Sequence, residues 1–240
     1  MRQIAAAFGR FFFACALLLA SCAPALAAHV EVGLGMSRAL TNGDGTWYQS
    51  AFPHTLDLRS LSGMVGVTGD LSEHVAYHAD AVWLGRFGEN SQDTPNDGNY
   101  AKGIGCVGPC LPMANYIGSG WVAGFAPTIE WHTTGAWRFG VEGGPWFYRE
   151  TWRESVPNWY PSKMISPRMY VPIGSPRPVM LDSSQTRVSY VLGVSLERGT
   201  WGIRLRYYDD HQYFPGTGGN ATNGPPLWKG QWDFLLTKEF

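Results

Sequence analysis

The chain has 240 residues and a formal net charge of −1, which excludes the cationic footprint of a nucleic-acid-binding protein. Charged residues make up only 15% of it, against roughly 25% in ordinary soluble domains. Its 11 Trp and 11 Tyr exceed what a core of this size needs, and such amphipathic rings suit a membrane–water interface.

The N-terminus carries an export pattern. Arg2 and Arg10 flank the start, residues 11–19 are apolar but too few to span a bilayer, and Ala25-Leu26-Ala27 forms a small-residue cleavage site. Residues 1–27 are therefore expected to be a signal peptide, leaving 28–240 as a single domain. A competing pattern, Leu19-Ala20-Ser21-Cys22, resembles a lipoprotein box with Cys22 lipidated. It is disfavoured because the first strand pattern starts at His29 and leaves almost no tether. A soluble periplasmic protein is the third reading. No later segment has the length of a transmembrane helix, so crossing a membrane would require strands.

Period-two alternation gives eight candidate strands near residues 29–39, 54–68, 74–87, 118–132, 136–149, 185–198, 200–211 and 227–240. Tight turns at 69–73, 133–135 and around Gly199 alternate with longer, Gly-, Pro-, Asn- and Ser-rich segments near 40–53, 88–117, 150–184 and 212–226. In a meander this places every tight turn at one end and every long loop at the other. The fold class expected is all-β, an eight-stranded antiparallel up-and-down transmembrane barrel with short periplasmic turns and long extracellular loops. A lipocalin-like soluble barrel would also use eight strands, but has no reason to place so many aromatic rings outside.

Alternation also assigns faces. Val75, Tyr77, Ala79, Ala81 and Trp83 oppose His78 and Asp80; Trp121, Phe125, Ile129 and Trp131 oppose Thr128 and Glu130. Likewise Trp137, Phe139 and Val141 oppose Arg138 and Glu142, and Trp201, Ile203, Leu205 and Tyr207 oppose Arg204 and Arg206. Leucines 56, 58 and 61 change parity around Ser60, which predicts a bulge there. An eight-stranded lumen is only wide enough for side chains, so inward charges must pair. Glu31, Asp80, Glu130, Glu142 and Asp233 are expected to meet Arg138, Arg187, Arg204 and Arg206 in a salt-bridged plug, with a narrow polar passage or a proton-sensitive gate as the alternative. His78, beside Asp80, reads as a hydrogen-bonded interior residue.

Three features lie in the loops. Cys106-Val107-Gly108-Pro109-Cys110 is expected to close as a disulfide in an oxidising envelope, since neither the spacing nor the neighbours supply a metal-ligand set. The third loop holds six prolines between Pro157 and Pro178, which stiffen it. There Trp152, Trp159 and Tyr160 interleave with Arg153, Lys163, Arg168 and Arg177, a composition suited to lipopolysaccharide contact or to packing over the barrel mouth. His211 follows Asp209 and Asp210, with Ser183, Ser184 and Ser189 on the preceding strand, and this is the single candidate catalytic grouping.

The final strand alternates Trp232, Phe234, Leu236 and Phe240 with Gln231, Asp233, Thr237 and Glu239. With the export signal, this resembles the small bacterial outer-membrane barrels of the outer-membrane protein A and W class, many of which end on an aromatic residue. Lys238 departs from the usual apolar register. The resemblance implies the outer membrane of a Gram-negative cell, lipid and lipopolysaccharide as partners, insertion by the barrel-assembly machinery, a monomer, and no cofactor. Outer-membrane lipid A deacylases carry a His followed two positions later by Ser. Here those positions hold Glu31, Leu56, Ala76, Asp80, Thr134 and Tyr213. A structural, ligand-binding or surface-interaction protein is therefore expected, ahead of a lipid-modifying hydrolase or acyltransferase and of a narrow pore.

Overall fold

The computed structural model describes residues 28–41, 54–93, 114–159, 162–166, 169–210 and 228–240. The expected signal peptide with Cys22, the Cys106–Cys110 bridge, Tyr160, Arg168 and His211 lie outside the described residues.

The strands are β1 (Ala28–Thr41), β2 (His54–Asp57), β3 (Arg59–Ser72), β4 (Val75–Asp93), β5 (Ala114–His132), β6 (Arg138–Trp159), β7 (Ser162–Ser166), β8 (Met169–Pro172), β9 (Arg177–Arg198), β10 (Trp201–Asp209) and β11 (Trp228–Glu239). β2 continues the line of β3 beyond Leu58, and β7 pairs only with β8. The remaining strands pair with their chain neighbours, all antiparallel, and β1 pairs with both β3 and β11. The result is a closed eight-stranded antiparallel barrel. Closure follows from the pattern: a strand with one apolar and one polar face has unpaired backbone groups on both flanks, and only a ring leaves no edge.

Turns at Glu73–His74, 133–137 and Gly199–Thr200 gather at the end where β1 starts and β11 finishes. Gly199 takes φ 60° and Gly135 φ 130°, backbone that other residues adopt only with strain. At this end the Phe240 amide also donates to the Val30 carbonyl, at 2.9 Å.

The strands run further at the opposite end than hydrophobic alternation indicates. β4 and β5 stay paired out to Asp93 and Ala114, and β6 and β9 out to Trp159 and Arg177. Residues 88–93, 114–117, 150–159 and 177–184, expected as loop, are therefore ladder. Alternation marks where side chains are sorted between two environments, whereas backbone pairing propagates from an existing hairpin whether or not they are sorted.

Two irregularities have local causes. The ladder between β5 and β6 is interrupted between the pairs Phe125–Phe147 and Ile129–Gly143, where the register sets Pro127 against Pro145 and neither can donate a hydrogen bond. The bulge expected at Ser60 sits across from it instead. β3 runs evenly against β1, while the β4–β5 register shifts between Trp83 and Gly85. Gly85 takes φ 99°, and a Cβ there would press on Ser60, whose Oγ accepts from the Arg86 amide at 2.8 Å. Leu58 simply points inward, packed against the core.

The two faces differ sharply. Leu34, Leu61, Ile129, Phe139, Val188, Leu192, Ile203, Phe234 and Leu236 are exposed on the outer wall, and Glu31, His78, Asp80, Glu142, Arg204 and Arg206 are buried inside.

Candidate functional site

The inward residues of β10, flanked by those of its neighbours, build the centre of the lumen. Arg204 donates from Nε to Glu31 at 3.0 Å and from Nη2 to Glu197 at 2.8 Å, while its Nη1 lies 3.3 Å from Glu130 and 3.4 Å from Glu142. One turn of the pleat further on, Arg206 clamps Glu142 with Nε at 2.7 Å and Nη2 at 2.8 Å, and its Nη2 also reaches Asp80 at 2.7 Å. Both guanidiniums are 0% exposed. Glu142 is completed by the Thr128 hydroxyl at 2.9 Å.

His78 stands between Glu31 and Glu130, with Nδ1 3.6 Å from the first and Nε2 3.5 Å from the second. His78, Glu130 and Glu142 bring their ligand atoms within 4.8 Å of one another, the spacing of a metal site. However, Arg204 Nη1 also lies 3.4 Å from His78 Nε2. The guanidinium occupies the position a metal ion would take and already supplies the charge the carboxylates need.

The structure brings Glu31, Asp80, Glu130, Glu142, Arg204 and Arg206 into one lattice. Arg138 sits at its turn-side end, 2.7 Å from Glu197 and 3.7 Å from Asp70. Asp233 meets the Ser62 hydroxyl. Arg187 reaches Glu150 at 3.5 Å, further up the barrel. Glu150 falls in a segment expected as loop and Glu197 at the last turn-side positions of its expected strand, and the structure places both on inward strand positions. Space for these groups comes from glycine: a Cβ at Gly193 would press on Glu142 and Arg206, and one at Gly140 on Glu130 and Ser195.

At the turn end a polar recess of about 80 Å³ opens beside His29, Asp70, His132, Arg138 and Glu239 and reaches His78 and Glu130. Towards the other end the fill changes to rings and aliphatics. Trp146 lies 5.6 Å from Tyr148 and 4.7 Å from Tyr208, centroid to centroid, and Leu84, Phe87, Val122 and Leu235 pack with them. The Tyr148 hydroxyl donates to Asp210 at 2.6 Å.

Trp152 joins this plug. It is 4% exposed and lies against Gly118 and Gly120, so it faces the lumen and not the outer contact surface expected of it. Arg153, on the opposite face of β6, is exposed and donates to Asp182 at 2.7 Å, and that hydrogen bond holds its proton affinity above the usual range. Arg177 is exposed at the start of β9; Lys163 falls in β7 and Trp159 ends β6. At the end of β10, the Ser189 hydroxyl donates to Asp209 Oδ2 at 2.7 Å and the Tyr207 hydroxyl to Asp209 Oδ1 at 3.3 Å. That serine is bonded to a carboxylate, and His211, the imidazole that nucleophilic activation would call for, lies outside the described residues. No protein-family model matches the chain, and comparison with curated proteins finds no relative.

Proposed function

We propose that this protein is an integral outer-membrane barrel that acts at the cell surface, as a structural, ligand-binding or surface-interaction protein. The observation that carries this reading is the combination of an outer wall lined with exposed large apolar side chains and a lumen filled with paired charge. In water such a wall costs roughly 25 cal/mol for each Å² of apolar surface left wet, whereas lipid accepts it at no such cost. Rings cluster at both rims. Trp131, Trp137, Trp201 and Phe240 stand near the turn end, with Arg198 5.1 Å over Trp137 and Lys238 5.0 Å over Trp201. Trp83, Trp121, Tyr207 and Trp232 stand towards the other end. On β5 the girdle residues Trp121 and Trp131 are separated by about 25 Å along the barrel axis, from roughly 3.3 Å per residue and a strand tilt of about 40°. That matches the apolar height of an outer-membrane barrel.

The function is proposed for the end opposite the tight turns because the lumen is closed by its own side chains. Arg204, Arg206, Trp146, Tyr208, Phe87, Leu84 and Leu235 are all nearly solvent-free, which favours a binding or structural role over a pore. Arg153, Arg177, Lys163, Arg168, Trp159 and Tyr160 are proposed to meet lipopolysaccharide there. Refolding the mature chain into phosphatidylcholine vesicles tests the assignment. It should insert, resist protease over the strands, shift its gel mobility on boiling, and show no single-channel conductance. A soluble, protease-sensitive product would reject the membrane reading, and stable conductance would replace the plug with a pore.

A further inference from the structure

We propose that the outer wall carries a binding site for a phosphorylated glycolipid headgroup, formed by Arg38, Arg59 and Arg86 with a tryptophan on either side. The proposal rests on the membrane reading and adds a specific lipid and a specific sector of the wall to it.

The register places these residues side by side. Arg38 on β1 pairs directly with Arg59 on β3 and, on its other flank, with Trp232 on β11. The Arg86 amide bonds Ser60, the residue next to Arg59, and Arg86 pairs directly with Trp121 on β5. Around the barrel the order is thus Trp232, Arg38, Arg59, Arg86, Trp121. Alternation points all three arginines outward: each is exposed, while Ser37, Ala39 and Phe87 beside them are buried. Below them on the same face come Met36, Leu34, Leu61, Val65 and Trp83, all exposed apolar groups. The triad therefore sits at the upper border of the apolar band, where lipid headgroups begin.

Like charges directly opposite one another destabilise a sheet, and Arg38 and Arg59 are such a pair. Among the described residues no carboxylate lies within salt-bridge distance of Arg38, Arg59 or Arg86; the side-chain contact of Arg86 is a neutral one, Nη2 to the Ser119 hydroxyl at 2.8 Å. The neighbouring Arg153 shows the contrast, since Asp182 pairs with it. Arg138, Arg153, Arg187, Arg204 and Arg206 are each matched with an acid, and of the others Arg149 bonds Ser184 and Arg198 covers the Trp137 ring; three unmatched arginines side by side on adjacent strands call for an anion from outside.

Geometry and charge select the occupant. Adjacent strands are about 4.8 Å apart, so the triad spans on the order of 10 Å, and its forked guanidiniums suit bidentate phosphate contact. A phosphodiester headgroup brings one negative charge to three cations. A phosphate monoester carries roughly 1.5 to 2, so a headgroup with two of them, on a sugar whose faces can rest against Trp232 and Trp121, matches the site. The class is a bisphosphorylated saccharolipid of the lipid A type.

The test uses the folded mature protein in phosphatidylcholine nanodiscs doped with bisphosphorylated lipid A, its dephosphorylated form, or phosphatidylglycerol, with protein-bound lipid counted by native mass spectrometry. The unmodified protein should retain bisphosphorylated lipid A over both other lipids, with a preference that falls as salt rises. R38Q/R59Q/R86Q should lose on the order of a hundredfold in that preference, from the contribution each cation makes near a charged surface. K238Q, a single charge loss at the turn-side rim, should leave it unchanged, whereas R38Q alone should already lower it several-fold. Equal retention of phosphatidylglycerol or of the dephosphorylated lipid by the unmodified protein overturns the inference, as does full retention by the triple variant. Should the triple variant fail to fold, the lipid and salt preferences of the unmodified protein decide the matter alone. Failure of the unmodified protein to enter any nanodisc would reject the membrane reading itself, an outcome distinct from insertion without lipid preference.

Discussion

The two halves of the lumen are lined by the same strands and filled by different physics. On β4 the inward positions run from His78 and Asp80 to Val82 and Leu84; on β6 from Glu142 to Trp146, Tyr148 and Trp152; on β10 from Arg204 and Arg206 to Tyr208. The turn-side half is a lattice in which each guanidinium serves several carboxylates. The other half is mainly a stack of rings with aliphatic packing, with Glu150 against Arg187 and Asp210 under the Tyr148 hydroxyl as charged members. Inward position alone does not tell a barrel what to bury. A charged half specifies partners, because every unpaired ion in a low-dielectric interior is costly. A ring-filled half specifies shape, because its contacts are non-directional and its losses scale with the cavity left behind.

The largest break of this contrast should come from Arg206→Met. It leaves Glu142 and Asp80 buried without their clamp and is expected to cost about 3–5 kcal/mol in urea unfolding of the folded barrel. Neutralising the partners as well, in Arg206→Met with Glu142→Gln and Asp80→Asn, should recover much of that loss. A triple variant no more stable than the single one would mean that volume, and not charge, governs this half.

Trp146→Ala should cost about 3 kcal/mol, the lower part of the range for a buried aromatic, because Tyr148 and Tyr208 can close partly over the cavity. Neutralising changes elsewhere should not rescue it, and rescue would show that the two halves are coupled.

Gly193→Ala places a methyl against Glu142 and Arg206 and is expected to cost about 2 kcal/mol by overpacking. Gly63→Ala, whose new methyl meets nothing closer than 3.6 Å, is the control and should change little. Equal effects in both would point to backbone entropy as the cause. The smallest effect is expected from Arg153→Ala: the pair with Asp182 is solvent-exposed, and such pairs contribute little. The midpoint of unfolding should not move measurably.

The sequence by itself determined the strand count, the antiparallel order and the inward or outward face of nearly every strand residue, because a sheet sorts side chains with a period of two and each face has its own solvent. It also supplied Glu31, Asp80, Glu130, Glu142, Arg204 and Arg206 as members of the charged lattice, though not Glu197, since a charge on an inward position of a narrow barrel has few places to go. Only the tertiary structure decided the partners. Glu142 with Arg206, Arg187 with Glu150 and Asp233 with Ser62 depend on the stagger between strands, which can shift by two residues without altering the alternation. The same holds for the extended hairpins, which are set by backbone pairing and leave no hydrophobic signal, and for Trp152, whose aromatic character suited either face. Arg38, Arg59 and Arg86 are scattered along the chain and become one patch only when β1, β3 and β4 lie in register, because proximity across a sheet is a property of the ladder and not of the spacing in any one strand.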